Sequence, residues 1–204
     1  GGSFILIERG WDLQYLSSLF NANALNFAIV GAGKKDQNSM PGKFMGFSSY
    51  GQYSKKIETW LKENNFFRDI WGNKQAFFHQ VKKDWKIHLK RLNLENPFLQ
   101  DIAATIQHIF QRDLIYKLRQ LKNQTHASYL YYSGGSALNI KANTALLESR
   151  MFSKVFIPPC TNDSGLSIGA GACLEWHKHG HVDLHTPYLN NWGLEELEVR
   201  YSRK

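Results

Sequence analysis

An alternation of helical and strand patterns between residues 101 and 176 constrains the fold of this 204-residue chain more than any other feature. Apolar residues recur at helical spacing through residues 101–123, which predicts a helix of roughly six turns. Two short apolar runs follow, at residues 128–132 and 154–157, and each leads into a glycine-containing loop and another helical segment. Because parallel strands need a crossover between them, this order predicts an α/β unit with two parallel strands.

The first hundred residues give weaker signals. Residues 3–8 form an apolar run that predicts a strand, and Asn23 caps a helix predicted over residues 23–32. Residues 31–51 are rich in Gly, Ser, Lys and Asn, which indicates a loop, whereas residues 54–65 have the spacing of an amphipathic helix. Residues 64–97 are aromatic and basic without a clean period, which favours an insertion or a cap.

Charge and cysteine content narrow the function classes. The formal net charge is +8, but the basic residues fall in separate pairs, which indicates a solvated surface with one anion site, or an acidic partner lobe, rather than a nucleic-acid interface.

Cys160 and Cys173 are not in a CxxC spacing, which favours buried free thiols in a reducing cytosol. No apolar stretch approaches a membrane span and no signal peptide is visible, so we expect a cytoplasmic protein without a membrane partner.

The first candidate site is the segment Ser133-Gly134-Gly135-Ser136, which separates a predicted strand from a predicted helix. Glycines let backbone N–H groups approach a phosphate or a ribose, and the helix N-terminus adds partial positive charge. Asn139 and Asn143 lie four residues apart, so their amides share one helical face near that end. The alternative interpretation is a plain tight turn.

Two further residues are candidates for anion or metal chemistry. Asp163 lies in the loop of residues 161–165, where its carboxylate would hold a metal that bridges phosphates; the alternative is an Asx-turn or N-cap role. Lys43 lies in the glycine-rich segment of residues 41–51, whose spacing excludes a Walker loop. An ordinary surface loop is the alternative interpretation there.

Four histidines near the end of the chain have the spacing of a metal site: His177, His179, His181 and His185. They fall in a polar segment that we interpret as an irregular tail after the last helix. A solvated histidine-rich linker therefore competes with a metal site.

Five segments in one order resemble a known family, the bacterial O-carbamoyltransferases of nodulation and antibiotic tailoring. Residues 41–51 resemble its GK-x-MGLA-x-YG loop, residues 101–121 its long helix, and residues 131–143 its LAGG-x-ALN-xxx-N segment. Residues 155–171 are similar to its strand, D-x-G loop and small-residue helix, and residues 186–193 to the stretch where its first domain ends.

The resemblance implies an α/β fold, namely an RNase H-like lobe of the actin/Hsp70-like ATPase superfold with a mixed sheet flanked by helices. Residues 1–40 would end the first lobe, and residues 41–193 would form the second lobe of a Kae1-like domain, with an insertion at 64–97. Residues 194–204 would begin a linker. We therefore expect the first lobe and a YrdC-like domain as missing partners.

The resemblance also implies chemistry. Similar enzymes convert ATP and carbamoyl phosphate into carbamoyladenylate in the YrdC-like domain, and the Kae1-like domain then transfers the carbamoyl group to a hydroxyl acceptor. The expected ligands are therefore ATP or carbamoyladenylate and a divalent metal, iron or magnesium. Asp163 would be the metal ligand. The residues expected at the nucleotide are Gly134, Gly135, Asn139 and Asn143, with Lys43 flanking them.

Departures from the family pattern put substrate preference in doubt. MGFSSYG replaces MGLA-x-YG, Ser136 stands where valine is usual, and Asn162 precedes the aspartate. We expect this chain to be inactive alone, since part of the site would lie elsewhere. Two alternatives remain: a non-catalytic or split-subunit binding module that docks through exposed aromatics in residues 66–85, or a kinase-like ATPase of the same superfold.

Overall fold

The computed structural model describes residues 5–7, 40–70, 73–89 and 95–182 of the chain. The helix expected over residues 23–32, His185 and the linker expected over residues 194–204 lie outside the described residues. Residues 5–7 are exposed and have no regular secondary structure, so this described part of the strand predicted over residues 3–8 is not a strand.

The described residues are mostly helical. The α-helices are α1 (Met40–Phe47), α2 (Lys55–Glu63), α3 (Lys74–Trp85), α4 (Pro97–Thr125), α5 (Ile140–Glu148) and α6 (Leu166–His179). The strands are β1 (Tyr129–Tyr131) and β2 (Lys154–Phe156). Single 3₁₀ turns cover Ser48–Tyr50, Gly135–Leu138 and Asp163–Gly165, and Asn65–Ile70 is a kinked 3₁₀ segment in which Phe66 and Phe67 have left-handed backbone conformations.

Helix α4 is the centre of the structure. Asn96 caps its start by accepting hydrogen bonds from the backbone N–H groups of Phe98 and Leu99, and the helix runs for 29 residues. Its buried face packs against α1, α2, α5 and the turn Ser48–Tyr50. The helix predicted over residues 101–123 is confirmed, and it begins one turn earlier because Asn96 and Pro97 supply the start signal.

An aromatic cluster around Trp60 joins α3 to this core. The Trp60 ring lies 4.9 Å from the Phe67 ring, 6.5 Å from that of Phe77 and 5.7 Å from that of Trp85, measured between ring centroids. Phe67, Phe77 and Phe78 are buried. The expectation that aromatics of residues 66–85 form an exposed docking surface is therefore wrong for these rings, because they pack inward.

The glycine-rich segment of residues 41–51 is helical where we predicted a loop. Met40, Phe44 and Phe47 are buried along one side of α1, a spacing that the many small residues conceal in the sequence. At the end of this segment Gly51 meets α4 so closely that a Cβ atom would lie 2.1 Å from the Gln100 carbonyl. Residues 41–51 are thus a docked helix and turn.

Strands β1 and β2 pair in parallel, with Leu130 opposite Val155 in the middle of the register. Leu130 and Val155 pack against the core, whereas Tyr129, Tyr131 and Phe156 are exposed on the other face. The α/β class and the parallel pair are confirmed. The mixed sheet of an RNase H-like lobe stays a prediction. Within the part of the chain that the structure describes, no helix is long and apolar enough to cross a bilayer.

A buried carboxylate links α2 to α4. Glu58 is 1% exposed and accepts hydrogen bonds from Lys62 Nζ at 2.6 Å, Tyr53 Oη at 2.7 Å and Arg112 Nη1 at 3.1 Å. Burial alone would raise the pKa of Glu58. The hydrogen bonds from Lys62, Tyr53 and Arg112 outweigh it and lower the pKa to about 2.

We predict that Glu58→Gln lowers the free energy of unfolding by about 1–3 kcal/mol near pH 7, because the charge-assisted hydrogen bonds weaken. The pKa of Glu58 in the folded protein lies below its ordinary value of 4.5. The stability that the Glu58 carboxylate contributes is therefore fully present above pH 4.5 and is lost as the pH falls toward 2. Urea unfolding at several pH values measures it. Glu63→Gln, at the exposed end of α2, is the matched control. Equal effects of the two substitutions would contradict the prediction.

Candidate functional site

The loops that follow β1 and β2 meet at the carboxyl ends of the parallel strands. The Gly134 N–H donates to the Thr161 carbonyl at 2.8 Å, and Ser133 Oγ donates to the same carbonyl at 3.3 Å. One carbonyl therefore ties the loop after β1 to the loop after β2. Ligands of open α/β sheets bind at this edge, outside the carboxyl ends of the strands.

Two glycines are required by the shapes of these loops. Gly134 has a φ of 102°, a left-handed conformation that side chains disfavour. Gly165 closes the turn Asp163–Gly165, and a Cβ atom there would lie 2.2 Å from the Cys160 carbonyl oxygen. Gly135 differs from both, because a Cβ atom on it would meet nothing within 4 Å.

A cavity of about 800 Å³ lies between the two loops and the start of α6. This volume is within the range of small-molecule sites. Apolar groups form most of its wall, with a polar rim at one end. The apolar part is lined by Tyr131, Phe156, Pro158, Pro159, Cys160, Leu166, Ile168, Ala170 and Ala172, and the rest by Ser133, Gly134, Thr161, Asn162, Asp163, Gly165 and Gly169. We call it the strand-end cavity.

Asp163 lines the strand-end cavity, and its side chain is exposed. Its carboxylate makes no hydrogen bond with the residues that the structure describes, and the turn that it begins has no side-chain cap. No group of three or more His, Cys, Asp or Glu side chains suited to a metal ion occurs among those residues. One carboxylate does not hold a divalent ion by itself, so the described residues alone do not fit a protein-bound metal.

Asn139 is buried and linked to the fold. Its Oδ1 accepts from the Ala142 N–H at 2.9 Å, which caps α5, and from Gln107 Nε2 at 3.0 Å. Its Nδ2 donates to Gln107 Oε1 at 3.1 Å. Because three of its hydrogen bonds are made within the protein, Asn139 places the start of α5 and retains little capacity for a ligand.

Asn143 lies one turn further along α5 and is half-buried. Its Nδ2 donates to the Ala137 carbonyl at 2.7 Å, which holds the turn Gly135–Leu138 against the helix. Its Oδ1 is buried and has no hydrogen-bond partner among the described residues. Neither Asn139 nor Asn143 lines the strand-end cavity.

Lys43 is exposed on α1, outside the cavity lining. The segment that carries it does approach the glycine motif, since Lys141 Nζ at the start of α5 donates to Ser48 Oγ at 3.3 Å. The structure therefore brings Gly134 and Asp163 to one cavity. The other predicted residues, Gly135, Asn139, Asn143 and Lys43, do not line it.

Two expectations near the end of the described chain need correction. The predicted irregular tail begins later, because α6 continues through His177 and His179. His179 Nε2 lies 3.6 Å from a Glu175 carboxylate oxygen, and the His179 ring is 6.3 Å from that of His181, measured between centroids. Cys160 and Cys173 are both free, as expected, but neither is fully buried, since Cys160 is half-buried and Cys173 is exposed.

Sequence reasoning missed three residues of the cavity. Tyr131 and Phe156 belong to the strands, and their alternation with core residues was the signal that they face the opposite side. Thr161 is 5% exposed, and its hydroxyl is buried without a hydrogen-bond partner among the described residues. Its carbonyl joins the two loops, a role that side-chain patterns do not reveal.

Comparison with known proteins agrees with the segment order. The family described as Carbamoyltransferase N-terminus matches residues 6–173. Nodulation protein U of Sinorhizobium fredii (strain NBRC 101917 / NGR234) is 29% identical over 201 residues, which cover 86% of this chain and 36% of that protein. Nodulation protein NolO of Bradyrhizobium diazoefficiens is 31% identical over 196 residues, which cover 83% of this chain and 32% of that protein.

A shorter match has higher identity. Nodulation protein U of Azorhizobium caulinodans is 43% identical over 76 residues, which cover 36% of this chain and 13% of that protein. The chain spans about a third of the length of the relatives that match most of it. Since the family match extends over most of the chain, it belongs to the carbamoyltransferase family and corresponds to that family's N-terminal region.

Proposed function

We propose that this chain provides the nucleotide-binding part of an ATP-dependent O-carbamoyltransferase, which moves a carbamoyl group from carbamoyladenylate to a hydroxyl acceptor. The observation that carries the proposal is the meeting of Gly134 and Asp163 at the strand-end cavity. Each was a candidate on independent grounds, and they are 29 positions apart in the sequence. Their convergence on one cavity of ligand size supports a binding site rather than two unrelated turns.

The chemistry assigned to the cavity is binding and orientation. The nucleotide would lie between the two loops, with its polar end toward Ser133 and Asp163. Transfer to a hydroxyl also needs a general base. None of the described residues that line the cavity is a histidine. The nearby Tyr132 packs against the core, and burial raises the pKa of Tyr132 to about 12, which leaves its hydroxyl protonated. We therefore propose that the base comes from residues outside the described part of the chain.

The structure bears on the two alternatives unequally. The binding-module hypothesis began from exposed aromatics in residues 66–85, and Phe67, Phe77 and Phe78 are instead part of the core. The kinase-like hypothesis shares the nucleotide site and differs in the group transferred. Carbamoyl transfer requires carbamoyl phosphate as well as ATP, whereas a kinase requires only ATP and an acceptor.

The direct test combines calorimetric titration with ATP and a transfer assay using labelled carbamoyl phosphate, ATP and a panel of hydroxylated acceptors. We expect the chain to bind ATP and to show no transfer alone, because it spans only about a third of its relatives. Addition of the remaining parts of a relative should give carbamoylated product. Phosphorylated acceptor without carbamoyl phosphate would support a kinase instead.

We predict that Gly135→Val weakens ATP binding by at least about tenfold, or about 1.4 kcal/mol. A side chain at this position has open space in the protein, so the fold should tolerate it. Gly135 does not itself line the cavity but follows Gly134, which does, so the new methyl groups would add bulk next to the ligand. Calorimetry measures the affinity, and thermal unfolding checks the fold. Unchanged affinity in the folded variant would mean that the second glycine of the motif is only part of a turn.

We also predict that the chain binds Mg²⁺ only together with nucleotide, because Asp163 offers a single carboxylate and phosphate oxygens must complete the set. ATP affinity should rise with Mg²⁺ in the parent chain, and this dependence should be largely lost in Asp163→Asn. Glu175→Gln, on an exposed position of α6, is the control. Stoichiometric metal bound without nucleotide and kept in Asp163→Asn would contradict the assignment.

A further inference from the structure

We propose that Tyr131 and Phe156 form a stacking platform for the flat heteroaromatic base of the nucleotide in the strand-end cavity. The inference rests on the proposed nucleotide-binding function and adds to it the residues that recognise the base. Both side chains line the cavity, on the wall formed by the sheet.

The sheet register places the two rings side by side. Tyr131 and Phe156 are partners across the parallel pair, their ring centroids are 5.2 Å apart, and their planes are inclined by 34°. Rings this close, with planes this nearly parallel, overlap partly face to face, so each ring supports the other and an outer face is left for a base. Stacking of a base on an aromatic side chain contributes about 1–3 kcal/mol.

Among the residues that the structure describes, these rings are not part of the packed core. Tyr131 is 65% exposed and Phe156 is 56% exposed, whereas Leu130 and Val155 supply the inward face of the sheet. Exposed large apolar groups are informative when they are contiguous and line a concave site. Here both rings contribute to the wall of a cavity.

The charge of the cavity favours recognition through the base. No lysine, arginine or histidine is among the described residues that line it, so this part of the chain supplies no side-chain cation there for free phosphates. Its acidic group, Asp163, would oppose a bare phosphate. A ligand held here must gain its affinity mainly from apolar and ring contacts, with the polar rim of Ser133, Asn162 and Asp163 orienting the other end.

The test compares ligands with and without a base. We expect calorimetry to show binding of adenosine within about tenfold of ATP, and no binding of inorganic triphosphate. Tyr131→Leu and Phe156→Leu should each weaken adenosine binding by at least about fivefold, or about 1 kcal/mol. Tyr131→Phe, which keeps the ring, should bind as the parent does. Tyr129→Leu is the matched control, since Tyr129 is 67% exposed on the same face of the sheet but does not line the cavity.

A second measurement does not depend on the variants. Protons on adenine that lies over aromatic rings should shift upfield in the NMR spectrum of adenosine titrated with the parent chain. If the parent chain binds neither ATP nor adenosine, the proposed nucleotide function fails, and the platform fails with it. If adenosine binds but its protons do not shift, or the leucine variants bind it as tightly as Tyr129→Leu does, the platform is refuted while the nucleotide function stands.

Discussion

Two hydrogen bonds between the buried amides of Gln107 and Asn139 fix the start of α5 against the middle of α4. Both groups are shielded from water, so breaking the pair would leave polar atoms without partners, at a cost of about 1–3 kcal/mol for each group. The amide of Asn139 also caps α5. The position of the glycine turn before α5, and hence one wall of the strand-end cavity, depends on this contact.

The side chain of Asn139 lies at the helix start that the sequence predicts, but its hydrogen bonds are made within the protein. The spacing of Asn139 and Asn143 placed both near a helix start, and the structure has them there. The side-chain amide of Asn139 forms hydrogen bonds with Gln107 and with the backbone N–H that it caps. Asn143 is held by the Ala137 carbonyl and keeps one unpartnered oxygen. An amide suits both ligand binding and helix capping, and only the partner from α4, 32 positions earlier, distinguishes the two.

The regular part of the fold was readable because its signals are local. The long apolar period of α4, the two β-rich runs and the glycines between elements gave the α/β order and the parallel pair. The errors came from long-range packing. In residues 41–51, glycines hid a three-residue apolar stripe that docks on α4, and in α3 the aromatic residues follow a pattern set by Trp60. Likewise, the contact between the rings of Tyr131 and Phe156 follows from the strand register, which the sequence does not reveal.

Charged groups are unevenly distributed over the described residues. Lys55 and Lys62 are exposed and lie beside the buried carboxylate of Glu58, not at the ends of the strands. The strand-end cavity instead has an apolar wall and one exposed carboxylate. Among the described residues, exposed basic side chains and the strand-end cavity thus lie in different parts of the chain. The positive net charge therefore does not by itself locate a ligand site.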